Sequence, residues 1–187
     1  MKFEDIKSRD DIGLVLNAMG LTGVGAEIGV AFGENAEQIL LKSKLELLLL
    51  IDPWNYVPEQ SPVGYGDMIK NWQGCYDYCQ EKLFPMRDRA VVMRTTSCTA
   101  SKLIADGSLD FVYIDANHMS PFIDQDLNYW YGKVKRGGVF GGHDYHDYQN
   151  SVYTCNVKTA VDKFFEAGLE RVHVVPGEVP SWYVVKP

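Results

Sequence analysis

The chain has 187 residues, of which 46% are hydrophobic and 23% charged, and its formal net charge is -7. That length suits one domain with a full core, and the composition is that of an ordinary soluble globular protein. The acidic balance disfavours nucleic acid as a partner, the stretch Lys2 to Asp11 is no signal peptide, and the longest apolar run, Leu47 to Ile51, is too short to span a bilayer.

The elements alternate along the chain. Residues Ile6 to Ala18 predict a leading amphipathic helix, and Val24 to Val30 a first strand. Asn35 to Lys42 reads as a helix with Asn35 as its N-cap. Leu47 to Asp52 is continuously apolar, as a strand buried on both faces should be. Pro53 to Gly66 is a loop by its Pro, Gly, Tyr and Ser content, and Asp67 to Leu83 predicts a helix. Then follow a strand at Ala90 to Met93, a short helix at Ser97 to Ala105, a strand at Asp110 to Asp115 and a helix at Asp124 to Val134. Val139 to Gly142 is a fifth strand after the Gly137-Gly138 turn, and Val157 to Ala167 a helix. Val172 to Val175 and Trp182 to Val185 close the chain as a pair whose short connection forces antiparallel pairing at a sheet edge. Strands alternating with helices predict a doubly wound, mostly parallel sheet.

Two features lie where such a sheet binds ligands. The first is Glu27-Ile28-Gly29-Val30-Ala31-Phe32-Gly33, a strand running into two glycines four apart, with a helix after it. Glycine permits a sharp turn and close approach to the backbone, although a plain strand-to-helix turn has the same composition. The second is Asp52, which ends the next strand 25 residues after Glu27, where a carboxylate can accept ribose hydroxyls. An aspartate before proline is also ordinary turn chemistry. The turn lacks the third glycine of the dinucleotide fingerprint, which disfavours a pyrophosphate and hence NAD.

Two further clusters end the fourth and fifth strands. Asp110 to His118 delivers Asp115 and then His118; Gly137 to Asp147 delivers His143, Asp144 and His146. In a parallel sheet both lie over one crevice, where Asp115 and Asp144 are placed for one hard cation or one proton-sharing substrate. His118, His143 or His146 is a candidate general base, although a lone histidine is usually structural. Arg94-Thr95-Thr96-Ser97 follows the third strand, and Ser97 there is a natural helix N-cap.

The acid at Glu27, the glycines at Gly29 and Gly33 and the acid at Asp52 resemble the first two motifs of the class I methyltransferases. The resemblance implies that the glycine turn wraps the methionine part of S-adenosylmethionine and that Asp52 binds the ribose. It implies that Trp54 packs on the adenine and that Ser97 sits near it. The Ile-Asp-x-x-His and Gly-Gly followed by His-Asp-Tyr stretches resemble a small-molecule O-methyltransferase-like branch, in which strand-end acids hold magnesium. Asp115 and Asp144 are then the metal candidates, with His143 beside them. The sequence departs from the catechol-type pattern at Tyr145, where that pattern has an amide ligand.

The expectation is a single domain over residues 1–187 with the class I methyltransferase fold: a Rossmann-like, doubly wound α/β sheet of seven strands, mostly parallel, with an antiparallel last strand. Residues 53–83, with Tyr56, Tyr65 and Trp72, are expected to form a lid or substrate wall. The expected activity is S-adenosylmethionine-dependent methyl transfer to a small-molecule acceptor, at a hydroxyl oxygen. Asp115, His118, His143 and Asp144 are its catalytic candidates. Glu27, Gly29, Gly33, Asp52, Trp54, Ser97 and Asp115 are its cofactor-binding candidates, and Asp115 and Asp144 are the candidate ligands for Mg2+ or another divalent cation. An NAD-dependent oxidoreductase and a non-catalytic nucleoside-binding module are the alternatives. No nucleic acid or membrane partner is expected, and a homodimer is left open. The thiols Cys75, Cys79, Cys98 and Cys155 make no zinc pattern and suit a reduced, cytoplasmic protein.

Overall fold

A computed structural model describes residues 6–55, 71–150 and 154–187. In chain order the helices are α1 (Ile12–Ala18), α2 (Glu34–Lys42), α3 (Trp72–Leu83), α4 (Ser97–Ser101), α5 (Phe122–Tyr131) and α6 (Val157–Phe165). The strands are β1 (Val24–Ile28), β2 (Leu47–Asp52), β3 (Ala90–Arg94), β4 (Leu109–Ile114), β5 (Val134–Gly142), β6 (Asp147–Gln149), β7 (Thr154–Asn156), β8 (His173–Val175) and β9 (Ser181–Val185).

Seven strands form one sheet in the order β3-β2-β1-β4-β5-β9-β8. β3, β2, β1, β4 and β5 pair in parallel, and β9 runs antiparallel to both β5 and β8. The closing pair is therefore antiparallel, as its short connection required. The strand order reverses between β1 and β4, and a parallel sheet opens its crevice at that point, beyond the carboxyl ends of the strands.

Period-two alternation divides the core into two layers. Leu48, Leu50, Phe111 and Tyr113 pack with Leu16, Ile39, Leu40 and Leu83 on one face. Ile51, Val112 and Ile114 pack with Leu127, Trp130, Val161 and Trp182 on the other. Strand β4 is buried at every position. That is why the central strands read as continuous apolar runs.

Several boundaries differ from the sequence reading for identifiable reasons. The leading helix begins at Ile12, because the Ser8 side chain accepts from the Asp10 N–H and starts a 3-10 turn over Arg9–Asp11. Helix α2 is capped by Gly33 at φ 81° rather than by Asn35, whose side chain is buried and used elsewhere. β5 begins at Val134 and passes through the glycines with a register irregularity against β4. The short antiparallel pair β6–β7, of which β6 is exposed, had no apolar alternation to announce it. In α3, the Asn71 side chain accepts from the Gly74 N–H and starts the helix. Tyr56, Tyr65 and the expected helix start at Asp67 lie outside the described residues.

Candidate functional site

The glycine turn is shaped by what crowds it. Gly29 has φ 85°, and a Cβ there would lie 2.0 Å from the Asp115 carbonyl oxygen. Its missing side chain thus admits the end of β4 as well as turning the chain. Gly33 has φ 81°, and a Cβ there would meet Cys79 Sγ of α3 at 3.0 Å. Asp52 ties the turn to the end of β2: its Oδ2 accepts the N–H groups of Val30 and Ala31 at 3.0 Å each, and its Oδ1 accepts from Trp54 N–H at 2.7 Å.

Glu27 is buried beneath the turn and accepts from Asn35 Nδ2 at 2.9 Å. The other oxygens of this pair, Glu27 Oε2 and Asn35 Oδ1, are both buried without a partner among the described residues. Burial pushes the Glu27 carboxyl up from its usual 4.5 to about 8, against the opposing Asn35 hydrogen bond. A protonated Glu27 supplies the donor that the two orphaned oxygens lack.

A cavity extends from this turn. Its wall includes Gly29, Asp52, Trp72, Ser97, Asp115 and Asp126. Four of the expected cofactor-binding residues thus share one cavity: Gly29, Asp52, Ser97 and Asp115. Glu27 and Gly33 lie behind the turn and do not line it. Trp54 departs from its expected place. It is fully buried, its Nε1 donates to the Ala31 carbonyl at 2.8 Å, and its ring packs edge-on to Tyr76. At φ 40° the backbone turns this side chain into the core, so it offers no face to an adenine in the cavity.

Asp115, His118, His143 and Asp144 come together at the ends of β4 and β5. His118 Nε2 lies 3.3 Å from Asp115 Oδ1 and 3.4 Å from Asp144 Oδ2. His143 Nδ1 lies 2.8 Å from Asp144 Oδ2 and 3.9 Å from Asp115 Oδ2. Asp144 has φ 55°, a strained value for a non-glycine residue, of a kind that clusters at functional sites. Burial lowers the His118 pKa, but the Asp115 hydrogen bond and the charges of Asp144 and Asp115 outweigh it, and the net shift is upward. For Asp144 burial acts upward, yet the His143 hydrogen bond and the surrounding imidazoles hold the carboxyl below its usual range.

His146 is placed differently. It lies on another side of Asp144, grouped with Cys155. Burial pushes the Cys155 thiol up to about 11. Asp115, His118 and Asp144 form a second group in which each offers a ligand atom within 4.8 Å of the others. Two carboxylates and an imidazole fit a divalent cation. Tyr145 takes no part in that set, and its hydroxyl donates to Asp162 instead.

A second cavity of about 360 Å³ lies beside this cluster, lined by Arg9, Asp10, His143, Glu178 and Ser181 among others. Arg9 joins the two cavities. It lines the second, and its guanidinium donates to Asp115 Oδ2 at 3.2 Å, on the wall of the first. Sequence reasoning missed Arg9, whose partner is 106 residues away. It also missed Asp126, for which a signal existed: an acid at the i+3 position of the inward stripe Ile123, Leu127, Trp130.

Comparison with known proteins gives the family and the fold. Residues 26–145 match the family described as "Methyltransferase domain", and the chain belongs to that family. It is an S-adenosylmethionine-dependent methyltransferase, and the oxidoreductase and binding-module alternatives are not favoured. Among solved structures, it is similar to an O-methyltransferase from Bacillus cereus in complex with SAH, with a TM-score of 0.67 at 13% identity over 95% of this chain and 80% of that one. It is also similar to a methyltransferase from Geobacter sulfurreducens, with a TM-score of 0.65 at 8% identity over 98% of this chain and 80% of that one. A third is the 1,6-didemethyltoxoflavin-N1-methyltransferase of Burkholderia thailandensis, with a TM-score of 0.55 at 12% identity over 98% of this chain and 80% of that one. At these identities the likeness is one of fold, that of the class I methyltransferases. No curated protein matches the sequence.

Proposed function

We propose that the chain moves a methyl group from S-adenosylmethionine to a hydroxyl oxygen of a small molecule, with the cofactor in the cavity at Gly29 and Asp52 and the acceptor in the cavity at Arg9 and His143. The observation that supports this most is His143 on the wall of the second cavity, its Nδ1 2.8 Å from Asp144 Oδ2 and 3.9 Å from Asp115 Oδ2. Asp144 orients His143 through Nδ1, which leaves Nε2 to take the proton of an acceptor hydroxyl. Arg9 and His118 steady Asp115 from opposite oxygens. The sulfonium of the bound cofactor supplies the methyl, and the protein's task is chiefly to align acceptor and donor.

A divalent cation, in this reading, is held by Asp115, Asp144 and His118, where it would favour the deprotonated hydroxyl. The net charge of -7 supports a small-molecule acceptor over nucleic acid. Four free thiols, with no helix long and apolar enough to cross a membrane among the described residues, support a cytoplasmic protein. We read residues 1–187 as one methyltransferase unit, with Trp72 part of the cofactor-side wall.

The test is transfer of labelled methyl from S-adenosylmethionine to a panel of small hydroxyl compounds. His143→Ala should lower turnover roughly 10²–10⁴-fold, the usual worth of a positioned base. Asp144→Ala should do the same, and both variants should still bind S-adenosylhomocysteine in calorimetry. A chelator should lower turnover, and added divalent cation should restore it. Full activity in both variants would sink the assignment of the base.

A further inference from the structure

Helix α5 carries an acid where its pattern calls for an apolar residue. Ile123, Leu127 and Trp130 form its buried stripe, and Asp126 lies on that stripe, also buried. A carboxylate out of water needs compensation. Among the described residues its one hydrogen-bond partner is Ser97 Oγ, which donates to Asp126 Oδ1. Ser97 Oγ is itself fixed by Trp130 Nε1, which donates to it at 2.8 Å. This relay sets the carboxylate in one orientation and uses one of its oxygens. An ionised carboxylate has about four acceptor sites, so most of its capacity is left over, and Asp126 lines the cavity that holds Gly29, Asp52 and Ser97.

We propose that Asp126 reads the base of the cofactor by accepting a hydrogen bond from the exocyclic amine of adenine. The inference rests on the cofactor reading given above. On an adenine ring the exocyclic amine is the group that offers N–H donors, while the ring nitrogens only accept. A fixed acceptor in the wall therefore selects a 6-amino purine over a 6-oxo purine, whose oxygen would face the carboxylate with no proton between them. Burial, opposed by the Ser97 hydrogen bond, holds the Asp126 carboxyl at about 6, so it is mostly ionised near neutral pH. The same relay gives Ser97 a role beyond its place at the start of α4, as the group that aims Asp126. The N-cap of that helix is Thr96, whose side chain accepts from the Thr99 N–H.

The experiment is calorimetry of the full chain with S-adenosylhomocysteine and with S-inosylhomocysteine. The wild type should prefer the adenosyl ligand by roughly tenfold or more, the worth of one hydrogen bond to a charged group. Asp126→Asn should narrow or invert that preference, because the amide can donate to a 6-oxo group. Ser97→Ala should weaken binding of the adenosyl ligand but keep the preference, since the carboxylate remains. An equal loss for both ligands in Asp126→Asn would reduce Asp126 to a structural role and overturn the proposal. So would a wild type that binds both ligands alike, a result that needs no variant to fold. A wild type that binds neither ligand overturns the cofactor reading, and the proposal falls with it.

Discussion

Glu27 shows how one buried side chain can set the pH response of the fold. Burial pushes its carboxyl up to about 8 in the folded chain, from 4.5 when exposed. Between those values the folded chain holds a proton that the unfolded chain has released, so stability falls as pH rises from about 4.5 to about 8. Glu27→Gln keeps the shape, supplies a permanent donor toward Asn35 Oδ1 and removes the titration. Its melting temperature should therefore decline less between pH 5 and pH 8 than that of the wild type, by roughly 4 °C or more, at about 2–4 °C per kcal/mol for a chain of this size. A parallel decline in both proteins would show that Glu27 stays ionised. Individual roles were unevenly legible in the sequence. Asp52 and Asp115 could be placed on the crevice because each follows a continuous apolar strand. Trp54 could not, since nothing in Asp-Pro-Trp-Asn tells whether the ring turns outward or, as it does, into the core. Arg9 left no local signal at all, because its meaning depends on a partner brought near by four intervening strands.

At the scale of elements, β5 and β9 lie close enough that a side chain is excluded between them. Gly141 pairs with Tyr183, and a Cβ on it would come within 2.2 Å of the Tyr183 ring and 2.5 Å of the Trp182 carbonyl oxygen. Gly141→Ala should therefore force β9 outward and cost about 1–3 kcal/mol, as overpacking does. The measurement is thermal unfolding, and a melting point within a degree of the wild type would refute the prediction. The elements that were readable in advance are those with a strong period. β2 matches its sequence reading from Leu47 to Asp52, because Leu48 and Leu50 point into one core layer and Leu49 and Ile51 into the other. The first residues of β5 were missed, because Lys135, Arg136 and two glycines hide the start of an interior strand behind polar composition. The three exposed residues of β6 are too few to show any period.

For the molecule as a whole, ligand binding and folding are linked, since the proposed cofactor cavity joins β1, β2, α3, α4, α5 and the segment Asp115 to Asn117 after β4. A ligand that binds only when all of these are assembled stabilises the fold by about 2.7 kcal/mol at a concentration 100 times its Kd. At about 2–4 °C per kcal/mol, S-adenosylhomocysteine should raise the melting temperature by roughly 5–10 °C, and NAD should leave it unchanged. A shift with NAD alone would contradict the assignment of the cofactor. The parallel sheet has one further consequence. Because β1 to β5 run in the same direction, the strand-end residues proposed to take part in the chemistry, Asp52, Asp115, His143 and Asp144, lie toward one rim, and among the described residues the turns leading into β1 and β4 lie at the other. Gly20 and Gly107 occupy turns there with open space around them. A dye, or a tether to a sensor surface, attached beside either turn would leave the working rim facing solution, so that every immobilised molecule presents its cavities the same way.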